Sequence, residues 1–241
     1  MTGSLDRRTV LVTGANGGLG EQFVAQALER GAAKVYAAAR APRDWADHRV
    51  VPLALDITDP ESVARAVTAA PEVDLLVNNA GIAPVGDSIA GPEDELRRVF
   101  ETNFFGNLRV ANAFSPVLAR NGGGTLLNVL SAAAWISVPT AYGASKAAMW
   151  SATNALRLLL GGQRTQVTGL LVGMVDTAMA SRWDVPKVTP RSVVAQAYDG
   201  VAAGALEVLA DAGTREVKAQ LNLPAEQFYP RVHEQLAGFE A

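Results

Sequence analysis

The chain has 241 residues, 49% of them hydrophobic, and a net charge of −3, enough for one large α/β domain or two small ones with a substantial core. It has no cysteine and only two histidines, His48 and His233 in unrelated contexts, which excludes disulfides, thiolate catalysis and Cys-based zinc and argues against a metal site or a Ser-His-Asp triad. No basic block, membrane-length apolar stretch or signal-peptide pattern occurs, so the expectation is a cytoplasmic protein with neither a nucleic-acid nor a membrane partner.

Apolar β-rich runs alternate with helical patterns. Residues 9–13 (TVLVT) read as a buried strand, and 18–30 as a helix ended by Gly31. Strands are expected over 34–39 and 50–55. Asp59 is a candidate N-cap, with Pro60 opening a helix to Ala69. A strand follows over 73–77, then two helices within 92–120, a strand over 124–130 and a long helix over 142–160. The remainder reads as a strand over 167–172, a helix over 190–204, a strand over 207–210, and helical segments over 214–222 and 225–236. This alternation predicts a doubly wound Rossmann fold: a mostly parallel seven-stranded sheet with helices on both faces. No linker or composition break divides it, so one domain over 1–241 with a helical tail from about 212 is expected.

Between the first strand and first helix stands Gly14-Ala15-Asn16-Gly17-Gly18-Leu19-Gly20. Glycines let backbone N–H groups approach a pyrophosphate, and the helix N-terminus adds partial positive charge. No Lys-Ser/Thr follows, which removes a nucleoside triphosphatase loop. The second strand ends at Ala39-Arg40, with Arg43 close behind and no carboxylate. A guanidinium there suits a ribose 2′-phosphate, which favours NADP over NAD.

Tyr142 and Lys146 stand at i and i+4, on one helix face. A phenol titrates near ~10, and a neighbouring ammonium is expected to pull that value down, so that Tyr142 can act as general acid or base. Ser131 falls just past the fifth strand and is preferred over Ser137 in the loop beyond.

These motifs stand in a family's order: Thr13-Gly14-x3-Gly18-x-Gly20, Asp56, Asn78-Asn79-Ala80-Gly81, Asn103, Ser131, Tyr142-x3-Lys146, and Gly173 to Thr177. Over about residues 7–210 the chain resembles the short-chain dehydrogenase/reductase family, in its conventional single-domain branch. The resemblance implies hydride transfer between NADP(H) and a carbonyl or secondary alcohol, with Tyr142 giving the proton and Ser131 binding the substrate oxygen. It implies that Lys146 orients the nicotinamide ribose and that Asn103 holds a water in a relay to Lys146. It implies that Gly14, Asn16, Gly17, Gly18, Leu19 and Gly20 cradle the pyrophosphate, and that Arg40, Asp56, Ile57, Asn79, Ala80 and Gly81 line the adenosine side. Gly173, Val175 and Thr177 would then meet the nicotinamide.

Two departures stand out. Val172 occupies the position of a usual proline, and the Ser131–Tyr142 interval (142 − 131 = 11) is a couple of residues short. Trp135, Met174, Met179 and Trp183 are candidates for an apolar substrate wall, suited to a hydrophobic ketone or aldehyde. In relatives, the helices around 104–119 and 142–160 form a subunit interface, so a homodimer or homotetramer is expected. The alternative, a non-catalytic NADP-binding sensor or scaffold, predicts a damaged Ser-Tyr-Lys set, whereas all three residues are intact.

Overall fold

Strands covered by helices on both faces have no polar side to present. That holds for β1 (Thr9–Thr13), β2 (Lys34–Ala39) and β6 (Gln166–Leu171), which are buried at all but their first residue. The computed structural model describes residues 4–236. With β3 (Val50–Ala54), β4 (Leu75–Asn78), β5 (Thr125–Val129) and β7 (Glu207–Leu209), these strands form a seven-stranded parallel sheet in the order β3-β2-β1-β4-β5-β6-β7. The expected fold class is the one observed.

Alternation along the strands builds the two layers. Val10, Val12, Val35, Val77 and Leu127 pack with α1 (Gly18–Glu29) and α6 (Pro190–Ala202). Leu11, Tyr36, Leu76 and Leu126 pack with α2 (Pro60–Ala69), α4 (Asn107–Arg120) and α5 (Ala141–Gly161). The α2 start is as read from the chain: Asp59 accepts from the Glu61 N–H at 2.9 Å, and Pro60 occupies the first turn.

Element ends shift by up to two residues, as where the helix expected over 214–222 runs over Ala212–Gln220, and two segments differ in ways that bear on the site. The fourth strand starts two residues later, at Leu75, just after Asp74, whose carboxylate accepts from Arg8 Nε at 2.7 Å, and it extends to Asn78, whose amide donates to Asn128 Oδ1 on β5 at 3.1 Å. The two helices expected within 92–120 are one continuous run: α3 (Glu93–Phe100), a π-helical stretch Glu101–Gly106, then α4. The wide turn shifts backbone carbonyls out of register, and the Asn107 amide donates to those of Thr102 and Asn103 at 3.1 and 3.2 Å. Gly106 permits this, since a Cβ there would sit 2.9 Å from Ile57.

The tail forms α7 (Ala212–Gln220) and α8 (Ala225–Leu236); residues 237–241 of the predicted tail lie outside the described residues. Val217, Phe228 and Val232 pack on Leu130, Trp135, Met149 and Leu171, covering the chain that follows β5. Among the described residues no helix is long and apolar enough to cross a membrane. The strand order reverses between β1 and β4, which opens a crevice at the carboxyl ends of the strands.

Candidate active site

Every strand from β1 to β6 delivers a predicted residue to that edge. After β1, Gly14 and Gly18 adopt φ of 66° and 57°, the left-handed region that glycine enters freely. Gly20 is required by contact: a Cβ there would lie 2.1 Å from Gly14 O and 2.9 Å from Asn79 Nδ2. Asn79 donates to Thr13 O at 2.9 Å and Gly14 O at 3.2 Å, and Thr13 Oγ1 accepts from the Asn79 and Ala80 N–H groups at 3.0 Å. The end of β4 thus braces the glycine turn. Gly17 has no side chain to cap α1, and a Cβ at Gly17 would meet nothing within 4 Å. Open space before an uncapped helix N-terminus can hold a pyrophosphate.

Asn16 donates to Ala41 O at 2.7 Å, fastening the turn to the segment after Arg40. Arg40 itself is exposed and makes no hydrogen bond or ion pair among the described residues. Arg43 differs: Glu21 holds it at 2.5 Å and it stacks on Trp45 at 4.3 Å. Asp56 folds onto Thr58, accepting from its hydroxyl at 2.7 Å and its N–H at 2.9 Å; these bonds, with Arg40 nearby, lower the carboxyl pKa. Ile57 beside it is buried, and its carbonyl accepts from Arg109 at 2.7 Å.

After β5, the Ser131 hydroxyl caps a short 3₁₀ turn through the Ala133 N–H at 3.1 Å, and it lies near enough to the Tyr142 phenol to lower its pKa. Ser137 instead meets Tyr229 of α8, at 3.1 Å. Thr140 caps α5 at the Gly143 N–H, 3.0 Å away, which starts the helix so that Tyr142 and Lys146 share a face. Lys146 is buried, donates to Val129 O at 2.9 Å, and lies 5.6 Å from the centre of the Tyr142 ring. The fully buried Asn103 is clasped by Ile82, accepting from its N–H at 2.8 Å and donating to its carbonyl at 2.9 Å. Asn103 also donates to Ser145 Oγ at 3.1 Å, which in turn donates to Tyr142 O at 2.7 Å. Gly81 lies against both Asn103 and Lys146: a Cβ there would sit 3.2 Å from Asn103 Oδ1 and 3.8 Å from Lys146 Nζ.

The expected downward pull on the phenol is not what this geometry produces. Tyr142 is half-buried, and removal from water raises its pKa with the nearby Ser131 hydroxyl opposing the rise, while the Lys146 ammonium donates to Val129 O and lies over the ring. Burial also lowers Lys146 to about 8. Below about 8 the folded protein bears the full cost of the buried ammonium. From there to the ordinary 10.5 the folded form has lost a proton that the unfolded chain retains, so stability rises with pH. That cost is about 3 kcal/mol, offset by about 1 kcal/mol for the bond to Val129. Lys146→Met is therefore expected to melt roughly 3–6 °C higher at pH 7, with the gain shrinking by pH 10. Melting curves at both pH values check this, and a less stable variant at pH 7 would contradict it.

After β6, Gly173 N–H donates to Asp211 Oδ2 at 2.8 Å, so a carboxylate from the start of α7 restrains the turn that follows Val172. Val175 bridges Val188, and Thr177 packs on the glycine turn, its Cγ2 lying 3.3 Å from where a Gly18 Cβ would be. The predicted apolar wall is only partly assembled. Met174 and Trp183 are half-buried, Met179 is exposed, and Arg182 covers the Trp183 ring at 3.8 Å. Trp135 is a correction: it is buried in the cluster under the tail, edge-on to Trp150 at 5.9 Å with Lys218 over its face at 4.7 Å. Tail packing took the indole that the short loop was expected to present to substrate. Ser145 and Asp87, which touch the backbone of Tyr142, were not singled out from the chain. Ser145 lies inside the Tyr-x3-Lys motif, whereas nothing local marks Asp87.

A glycine-turn crevice at the switch point of a doubly wound parallel sheet is a Rossmann site. Within that class the chain belongs to the short-chain dehydrogenase/reductase family of oxidoreductases, matching the family described as short chain dehydrogenase over residues 8–187. It is 35% identical over 195 residues to a short-chain dehydrogenase of Penicillium crustosum, covering 72% of this chain and 68% of that one. Identity is 33% over 202 residues to a 1-deoxy-11-beta-hydroxypentalenate dehydrogenase of Streptomyces exfoliatus, covering 76% and 73%. A crystal structure of a short chain dehydrogenase from Burkholderia cenocepacia in complex with NADP aligns with a TM-score of 0.88 at 36% identity, covering 95% of this chain and 99% of that one.

Proposed function

We propose that this chain is an NADP(H)-dependent reductase of hydrophobic ketones or aldehydes, working in reverse as a secondary-alcohol dehydrogenase. The observation that carries this reading is that Tyr142 and the buried Lys146 share one face of α5, at the same sheet edge as Ser131 and an open glycine turn. Gly14 to Gly20 would hold the pyrophosphate of NADP(H), Asp56 to Thr58 the adenine, and the uncommitted Arg40 the 2′-phosphate. A related structure solved with NADP supports the cofactor choice. Val175 and Thr177 would border the nicotinamide. NADP(H) supplies the hydride when bound; the protein supplies position and electrostatics.

Ser131 and Tyr142 donate to the substrate oxygen, where negative charge develops, and Tyr142 gives it a proton. A phenol kept protonated by burial suits the reductive direction. Lys146 holds the ribose side of the site and returns a proton to Tyr142. Because Ile82 and Ser145 occupy the Asn103 carboxamide, its part in the relay is to set the π-helical turn whose backbone would hold the water. Half-buried Met174 and Trp183 support an apolar substrate. Exposed Phe105, Leu158 and Leu159 on the α4/α5 side support a homodimer or homotetramer.

The test is NADPH consumption, with NADH in parallel, over acetophenone, cyclohexanone, benzaldehyde, a quinone and pyruvate, with copy number read by light scattering on the same preparation. Turnover of the apolar carbonyls with NADPH is expected. Turnover of pyruvate alone, or equal use of NADH, would overturn the substrate or cofactor assignment, and a monomer would remove the assembly.

A further inference from the structure

Asp87 lies in the loop beyond Gly81, outside every motif that the function uses. Its carboxylate accepts both backbone N–H groups at the opening of α5: Ala141 to Oδ1 at 3.1 Å and Tyr142 to Oδ2 at 2.8 Å. The helix already has an ordinary local cap in Thr140. Asp87 comes instead from 54 positions earlier in the chain, and the same loop is fastened again where the Ile89 N–H donates to Pro139 O at 3.0 Å. Holding a loop in this way costs closure entropy, which a carboxylate on a helix N-terminus offsets. Gly86 precedes Asp87 at φ 76°, a turn open to glycine that brings the carboxylate round to the helix.

The consequence falls on one residue. The Tyr142 N–H is held by Asp87 and its carbonyl by Ser145, and both ties lead back to Asn103: Ser145 accepts from its amide, and the Asp87 loop begins at Ile82, which Asn103 clasps. The Tyr142 side chain therefore springs from a backbone fixed on both sides.

We propose that Asp87 is a positioning residue for the reaction, clamping the first turn of α5 so that the Tyr142 hydroxyl is held in line with Ser131 and the substrate oxygen. This rests on the acid–base reading of Tyr142. Asp87→Ala frees both N–H groups, while Asp87→Asn keeps one acceptor for them. Asp74→Ala serves as control, because it breaks the Arg8–Asp74 pair (2.7 Å) at the opposite edge of the sheet.

Steady-state kinetics with NADPH and the fastest ketone of the panel, alongside melting curves, provide the test. In Asp87→Ala, kcat should fall about ten- to hundred-fold with KM for NADPH within about two-fold, as misplacement of a reacting group by a fraction of an ångström to 1 Å produces. Asp87→Asn should recover to within roughly three-fold of the parent, and Asp74→Ala should lose melting temperature while keeping kcat within about two-fold. An Asp87→Ala enzyme within two-fold of an active parent, by the same roughly two-fold criterion, overturns the clamp alone. So does a kcat loss that tracks melting temperature equally in the Asp87 and Asp74 variants. A parent that reduces none of the carbonyls overturns the acid–base reading itself.

Discussion

Tyr142→Phe is expected to lose about 10²- to 10⁴-fold in kcat, the usual contribution of a positioned acid or base. The ring stays beside Lys146, since only the hydroxyl is removed. Fold and cofactor site therefore remain, and the NADPH dissociation constant, read by fluorescence, should stay within roughly three-fold, a change of less than about 1 kcal/mol. A loss confined to kcat separates a chemical role from a packing one, because a packing defect in α5 would disturb Lys146 and binding together. Turnover near that of the parent would remove Tyr142 from the chemistry.

Gly20→Ala carries the second large effect, for a steric reason. Its methyl would lie 2.1 Å from Gly14 O, and that oxygen has nowhere to retreat: Gly14 sits at φ 66° and its carbonyl accepts from Asn79. Overpacking of this kind costs about 1–3 kcal/mol or more, a fall of roughly 2–12 °C in melting temperature for a chain of this size. The displaced turn should also lose NADPH affinity by about ten-fold or more. Gly17→Ala makes the contrast. Its φ of −171° is extended backbone that any residue adopts, and a methyl would meet nothing within 4 Å. It should melt like the parent yet bind NADPH less well, because the space it fills is the one assigned to the pyrophosphate. Unchanged binding in Gly17→Ala would move the phosphate site elsewhere.

Much of this fold was legible from the chain because its signals are local. TVLVT and KVYAAA, buried on both faces, leave no choice but a central parallel strand, and Asp59-Pro60 marks a helix start within three residues. The glycine turn announced itself by spacing, and its positive φ angles at Gly14 and Gly18 are the reason for that spacing. The errors arose where a distant partner decided the outcome. The expected pull on the Tyr142 phenol missed that the Lys146 ammonium is drawn to Val129 O. Trp135 followed the tail helices into a core that its loop alone gives no hint of.

The Tyr142–Lys146 pair proposed for the chemistry makes the same division at finer scale. Spacing of four puts Tyr142 and Lys146 on one helix face, since that is a property of helix pitch. It does not say which way the ammonium points. Only the packed structure aims it at Val129 O, and there loss of solvent raises the phenol pKa. The order of strands, the residue types at their carboxyl ends and the choice of chemistry lie in the chain, because periodicity and turn geometry act over a few residues. Which atoms meet lies in the tertiary structure, because contacts such as Asp87 with Tyr142 exist only after loops of some fifty residues have closed.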